Sequence, residues 1–339
     1  MNNEFAPYAG PMSRGFHVEV LGKLDHDERD AVALLVERAT EVDGVRPLSE
    51  HSTLHLRHGG DPGIRHLLAY GDARGDLPQL AGFVHLDITD KVAGSSAEIV
   101  VDPAWRKRGL GRLLVDAAQA ETPDGRLRLW SHGESAAAAG LAESMGYRKI
   151  RELRQLRRSV SAPLPTTSLP EGVTVRPFVP GEDDDAWVAL NAVIFADHPE
   201  QGSLTVDDLR RRMAEPWFDP NGFFLAERDG RLVGYHWTKV HGSQLVVHEH
   251  DGHGPHTHHE HGHDPIGEIY VVGVHPDERG SGLGTALILI GLQHLRSVGL
   301  LDAMLYVDAA NTPAIRAYER LGFTHWDSDV QYRSPGSQG

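Results

Sequence analysis

Two stretches of this chain combine arginine and glycine at a spacing that could hold an anion. Arg106-Lys107-Arg108-Gly109-Leu110-Gly111 and Arg279-Gly280-Ser281-Gly282-Leu283-Gly284 each follow a valine-rich segment and a proline turn, and each precedes an apolar helical run. The preceding segments are Ile99-Val100-Val101-Asp102-Pro103 and Val272-Gly273-Val274-His275-Pro276. A glycine loop that opens a helix leaves backbone N–H groups free to point at an anion, and the helix dipole adds partial positive charge there. This is the chemistry of a pyrophosphate cradle. One such loop is a weak signal, whereas two in matching context point to a duplicated unit.

The elements needed to hold these loops recur in both halves. In the first, Glu28 to Thr40 has helical spacing, Leu80 to Ile88 and Ala97 to Val101 read as strands, and Leu110 to Ala120 is a helix behind the glycine loop. In the second, a helix near Trp187 to Phe195 precedes strands at Phe223 to Glu227, Leu232 to Val240 and Ile269 to Val274, then a helix from Gly284 to Val298. Both halves close with a strand, a helix and a Gly-aromatic pair, from Leu127 to Gly146-Tyr147 and from Met304 to Gly322-Phe323. The expected fold is a mixed α/β unit used twice.

At 339 residues the chain suits two domains. Ser159 to Gly172 concentrates Pro, Ser and Thr, which places the domains at 15–160 and 173–333 with a linker at 161–172. The formal charge of −15, with scattered basic residues, argues against a nucleic-acid partner. The exception is the basic run Arg148 to Arg158, where Ile150, Leu153 and Leu156 alternate with charge as on a solvated or edge strand. The absence of cysteine removes disulfides, thiolate metal sites and a cysteine nucleophile, and fits a reducing cytoplasm. The N-terminal residues lack a signal-peptide pattern, and no apolar run reaches the ~18 residues of a membrane span. A soluble cytoplasmic monomer is expected.

The order of strand, V-x-V-x-P turn, glycine loop and then N-x-x-A-x-x-x-Y-x-x-x-G-F resembles the GNAT family of acetyl-coenzyme A-dependent N-acetyltransferases. The second half carries it almost in full, through Asn311 to Phe323. Two such units, with the stretches at 47–56, 198–202, 236–241, 267–276 and 305–323, are similar to tandem members of that family that acetylate the cysteinyl amine of desacetylmycothiol. The resemblance implies the α+β GNAT fold in both halves, acetyl-coenzyme A as co-substrate and no required metal. It also assigns the acetyl-coenzyme A contacts: the strand residues Val272, Gly273 and Val274, and the cradle Arg279, Gly280, Ser281, Gly282, Leu283, Gly284 and Thr285. Asn311, Thr312, Pro313, Ala314, Ile315 and Arg316 follow in the next helix. A second acetyl-coenzyme A would lie on Ile99, Val100, Val101, Arg106, Lys107, Arg108, Gly109, Leu110 and Gly111, without turnover.

Superposing the glycine loops, at an offset of 173 residues, sets Glu268 against Ser95. Superposing the Gly-aromatic corners, at 176, sets Tyr318 against Ala142 and Asn311 against Ser135. The first half thus keeps the cradle and is expected to lack the ionisable groups. An amine with a pKa near ~8 must lose a proton before it attacks a thioester. Glu268, its pKa raised by burial, is the candidate base, and Tyr318, a phenol near ~10, the candidate donor to the departing thiolate. Gly273 inside a strand calls for a bulge or a close ligand approach.

By resemblance the substrate is a cysteinyl-glucosaminyl-inositol contacted by Glu50, Glu200, Lys239, Glu268 and Tyr306. Another amine, such as an aminoglycoside or a peptide N-terminus, fits the asymmetry of the halves equally well. Only Glu50, Glu200, Lys239 and the wider resemblance favour the thiol. A non-catalytic acyl-coenzyme A sensor is a third reading, against which Glu268 and Tyr318 both stand. The segment from His248 to His263, with eight histidines and no HExxH, reads as a hairpin extension that binds Zn²⁺ or Ni²⁺ weakly, with metal storage or sensing and pH-dependent gating of the nearby cleft as the alternatives.

Overall fold

The structure, a computed structural model, describes residues 15–58, 62–71, 78–90, 93–166, 168–196, 199–242 and 265–336. The histidine-rich stretch 248–263 lies outside the described residues. Along the chain the first half forms β1 (Phe16–Leu21), α1 (His26–Asp43), α2 (Glu50–His58), β2 (Ile64–Gly71), β3 (Gln79–Asp87), β4 (Ser95–Val101), α3 (Leu110–Ala120), β5 (Leu127–Ser131), α4 (Ala136–Ser144) and β6 (Arg148–Ser159). The second half forms β7 (Val173–Pro177), α5 (Asp184–Ile194), the single turn α6 (Pro199–Gly202), α7 (Val206–Met213), β8 (Phe223–Arg228), β9 (Arg231–His241), β10 (Ile266–Val274), α8 (Leu283–Ser297), β11 (Asp302–Asp308), α9 (Thr312–Arg320) and β12 (Thr324–Arg333). The duplication read from the glycine loops is therefore a duplication of elements in order.

The compact units do not end where the halves of the sequence end. One contains the chain up to Leu153 together with the residues from Asp327 onward, and the other runs from Arg154 to Trp326. The expected break at 161–172 is thus displaced into β6 and β12. Those linker residues have work to do in the second unit: Arg296 donates to the carbonyls of Ser161 and Ala162, and Leu164 packs against the core. In the first unit β1 to β4 are antiparallel, β5 pairs parallel with β4, and β12 completes the sheet by pairing antiparallel with β5 through Val330 to Arg333. In the second, β7 to β10 are antiparallel, β11 lies parallel beside β10, and β6 is the neighbour of β11. Each sheet takes its final strand from the opposite half of the sequence.

The solvated character expected of residues 148–158 fails from Gln155 onward. Gln155, Leu156 and Arg158 are buried, and the Arg158 guanidinium donates to the carbonyl of Leu321. Arginine tolerates this because its five N–H donors can all be met by carbonyl oxygens. Both units bury two faces of their sheet. In the first, α3 covers one face with Leu110, Leu114 and Ala118, and α1 covers the other with Val32, Leu35 and Val36. In the second, α8 covers one face with Leu287, Leu292 and Leu295. The opposite face carries an aromatic cluster in which Phe223 stacks on Trp237 at 4.5 Å and Trp187 meets both edge-on. Among the described residues no helix is long and apolar enough to cross a membrane.

Candidate active site

The candidate site is built where β10 and β11 part. Parallel pairing joins Gly267 to Ala303 and Glu268 to Met304, and among the described residues the ladder goes no further. From Ile269 to Val274 the β10 main chain stays bonded to β9 on one side only. Such an unladdered edge presents free peptide groups to a ligand. The β9–β10 register also shifts between Ile269 and Val271, which makes Tyr270 the extra residue of a bulge. The bulge therefore lies ahead of Gly273. Gly273 answers to packing: a Cβ there would stand 2.9 Å from Ile194 of α5 and 3.4 Å from Phe195.

Residues two apart on a strand share a face, and cross-strand neighbours share it too. Glu268 lies opposite Lys239 in the β9 register, so Lys239, His241 and Tyr306 all fall on its face of the sheet. Glu268 is 7% exposed, and one of its oxygens lies 2.6 Å from His241 Nε2. Burial alone would push its carboxyl up, as expected from sequence. The bond to His241 and the charges of His241 and Lys239 outweigh burial, and the group lies below the ordinary glutamate range. The Lys239 ammonium sits over the rings of Trp217, at 4.5 Å, and of the bulge residue Tyr270, at 5.1 Å. Tyr270 is itself held by Arg212 of α7, whose Nε donates to the phenol at 3.0 Å. The Tyr306 hydroxyl accepts from Gln155 at 2.8 Å. His241 is the residue that sequence reasoning missed, although its place two positions after Lys239 on a strand is a sufficient signal.

Tyr318 belongs to the other face. It packs, half-buried, against the cluster of Ile269, Leu292, Ile315 and Phe323, and burial pushes its phenol up to about 12. Since Ile269 follows Glu268 on the strand, the carboxylate and the phenol flank the parted strands from opposite sides. The α9 helix that carries Tyr318 is started by Asn311, whose side chain accepts from Ala314 N–H at 3.2 Å, with Pro313 in the first turn. Thr312, Ala314 and Ile315 are the helix's first residues, and Arg316 is exposed. Asn311 is thus committed to capping. Ser135 does the same for α4.

Both glycine loops have the expected geometry. Gly109 at φ +85° and Gly282 at φ +89° sit at the N-caps of α3 and α8 in the left-handed region, and neither helix has a side-chain cap. That leaves the first N–H groups, at Gly111 and at Gly284 and Thr285, for an external acceptor. Ser281 is turned inward, donating to the Glu278 carbonyl at 2.8 Å. The loops differ in their cations. Arg106 is bound bidentately by Asp43 at 2.6 and 2.7 Å and also donates to the carbonyl of Val101, while Arg108 lies over Trp105. Lys107 adopts φ +60°, where the second loop has Gly280 at +82°.

The first unit has a serine, not a carboxylate, in the place of Glu268, yet ionisable groups lie close by. Its parallel ladder also ends on a glutamate, Glu98 opposite Trp130. That carboxylate accepts from Ser49 N–H at 2.7 Å and faces His132 Nε2 at 3.4 Å, and His132 Nδ1 lies 3.0 Å from Asp329. Burial opposes both charges, yet the bonds with Asp329 and Glu98 raise His132 to about 10, and His132 with Ser49 lowers Glu98 to about 2. Beside them His55 and His85 meet at 3.3 Å, with His51 and His66 in ring contact. Burial holds His66 at about 4 and His85 at about 3. The bulge explains the mismatch with the 173-residue offset. β4 pairs with β3 without a shift, so the residue opposite Asp87, the counterpart of Lys239, is Ser96, one position from Ser95. Among the described residues no group of His, Cys, Asp and Glu is arranged to hold a metal ion.

The remaining expected substrate contacts are not brought together within one unit. Glu50 begins α2 in the first unit, and Glu200 lies in the short α6 of the second.

Profiles of known families match both halves, the acetyltransferase (GNAT) family over residues 187–323 and the acetyltransferase (GNAT) domain over 62–149. A GCN5-related N-acetyltransferase from Sphaerobacter thermophilus superposes with a TM-score of 0.63 at 25% identity, covering 95% of this chain and 96% of that one. A tandem GNAT protein from the clavulanic acid biosynthesis pathway reaches 0.65 at 17% identity, covering 95% and 100%. Fold and site together define a tandem GNAT acetyltransferase. The mycothiol acetyltransferase of Acidothermus cellulolyticus is 54% identical over 320 residues, 94% of this chain and 95% of that protein, and that of Streptosporangium roseum is 51% identical over 354 residues, 93% and 98%. The chain belongs to the mycothiol acetyltransferase family.

Proposed function

We propose that the chain transfers the acetyl group of acetyl-coenzyme A to the cysteinyl amine of desacetylmycothiol, and that the second unit performs the chemistry. The observation that carries this reading is the parting of β10 from β11 directly after Glu268, with Tyr318 on the other side of the gap. The pantetheine arm would bond the free main-chain edge at Val272, Gly273 and Val274, and the pyrophosphate would lie on the uncapped start of α8. A backbone N–H of that edge polarises the thioester carbonyl.

The step follows from these positions. Glu268, held ionised by its neighbours, takes the ammonium proton. The freed nitrogen attacks the thioester carbonyl carbon, the C–N bond forms, the adduct's nitrogen gives up its second proton through water to restore the Tyr318 phenol, and the C–S bond breaks. The leaving thiolate takes a proton from Tyr318, whose raised pKa keeps it protonated. An amine near ~8 gives its proton to so weak a base only uphill, so the neutral amine is a minority species that attack on the thioester draws forward. In the first unit the place of Glu268 is taken by Ser96, and the nearby carboxylate of Glu98 is engaged by Ser49 and His132, which supports binding without turnover there. Lys239, Tyr306, Glu50 and Glu200 are proposed substrate contacts, and the small-molecule thiol is met by a soluble cytoplasmic monomer. The test is the mass of the product formed from acetyl-coenzyme A and desacetylmycothiol, with an aminoglycoside and a peptide as competing amines. An acetyl group placed only on a competitor would refute the substrate.

A further inference from the structure

The imidazole of His241 is the direct hydrogen-bond partner of the Glu268 carboxylate, at 2.6 Å. It closes β9, and its side chain is 35% exposed while that of Glu268 is 9% exposed. A carboxylate has two oxygens, and this bond occupies one of them. We propose that His241 is the positioning residue of the base: its imidazole holds one oxygen of Glu268 so that the other faces the amine.

This follows from geometry. A glutamate side chain has three rotatable bonds, and a buried carboxylate without a fixed partner is free to turn toward Lys239, directly across the ladder. The Lys239 ammonium is drawn instead over the Trp217 and Tyr270 rings. His241, on the diagonal of the same face, reaches the carboxylate. The groups around the pair are accounted for by element. β9 supplies Lys239, β10 supplies Tyr270 bound to Arg212 of α7, and β11 supplies the uncharged Met304 and Tyr306.

The proposal rests on Glu268 as base, and three variants of the full chain test it. His241→Gln keeps an N–H donor near the position of Nε2, His241→Ala removes the donor, and Glu268→Gln removes the base. The rate is followed by chromatography of the acetylated product, with acetyl-coenzyme A binding and thermal unfolding as controls for folding. His241→Ala is expected to lower kcat on the order of 10²-fold. His241→Gln is expected to recover most of that loss, with KM for acetyl-coenzyme A within about two-fold of the parent. A parental kcat in His241→Ala, or a folded His241→Gln no faster than His241→Ala, overturns the proposal while a dead Glu268→Gln leaves the base in place. A parental kcat in Glu268→Gln overturns the base itself.

Discussion

The near-identity of the two glycine loops makes each the control for the other. Gly109 and Gly282 share a φ near +85 to +90° and an N-cap without a side-chain bond, and a Cβ at either would meet nothing within 4 Å. Replacing either by aspartate therefore has the same local cost, roughly 1 kcal/mol for a non-glycine residue in the left-handed region. The difference lies in what the carboxylate faces. A unit charge ~5 Å from a phosphate charge, at an effective dielectric of ~20, costs about 3 kcal/mol. That corresponds to a loss of acetyl-coenzyme A affinity on the order of 10²-fold at whichever unit carries the change. Gly282→Asp is thus expected to lower kcat/KM for acetyl-coenzyme A by about 10²-fold, whereas Gly109→Asp weakens binding to the first unit and leaves turnover within about three-fold. Steady-state kinetics with a count of acetyl-coenzyme A bound per chain reads both effects. Equal loss of turnover in the two variants would refute the division of labour, and an unchanged kcat/KM in Gly282→Asp would refute the cradle.

Two further outcomes concern stability. His66 and His85 are neutral in the folded chain and bind protons on unfolding, so their contribution is full above about pH 6.5 and is lost as pH falls toward 4. For His66, lowered by burial and by His55, this amounts to ~2 kcal/mol at pH 5, and His66→Gln should flatten the dependence. Urea unfolding followed by tryptophan fluorescence at pH 7 and pH 5 measures it, and a midpoint that does not move would remove these imidazoles from the account. Gly291→Ala would stabilise an isolated helix by about 1 kcal/mol. Here the new methyl would strike the His236 ring, which is held by the carbonyl of Leu287, so a net loss of roughly 1–3 kcal/mol is expected. A rise in melting temperature would contradict the packing.

Much of the site could be read before the fold was known because its signals are local. A glycine that must adopt positive φ, an apolar stripe at helical spacing and an asparagine three residues before its N–H partner each act within one turn of chain. The two loops, α3, α8 and α9 were accordingly in place from sequence. α2 was missed: the nine residues Glu50–His58 carry only a weak apolar stripe, and their histidines have meaning only against His85 on another strand.

The expectations that failed are the ones that depend on partners distant in sequence. The direction of the Glu268 pKa was misjudged because burial was weighed without His241, 27 residues away. The counterpart of Glu268 was placed one residue off, at Ser95 in place of Ser96, because a constant offset cannot anticipate a one-residue bulge at Tyr270, and the neighbouring Glu98 acquires its partners only through Ser49 and His132. Sequence alone determined the duplication and the positive-φ glycine loops ahead of α3 and α8, since periodicity and turn chemistry are properties of neighbours along the chain. Which strand completes each sheet, where β10 leaves β11 and whose proton the carboxylate shares were decided by tertiary structure, because strand pairing and side-chain electrostatics are set by contacts between residues that the sequence keeps far apart.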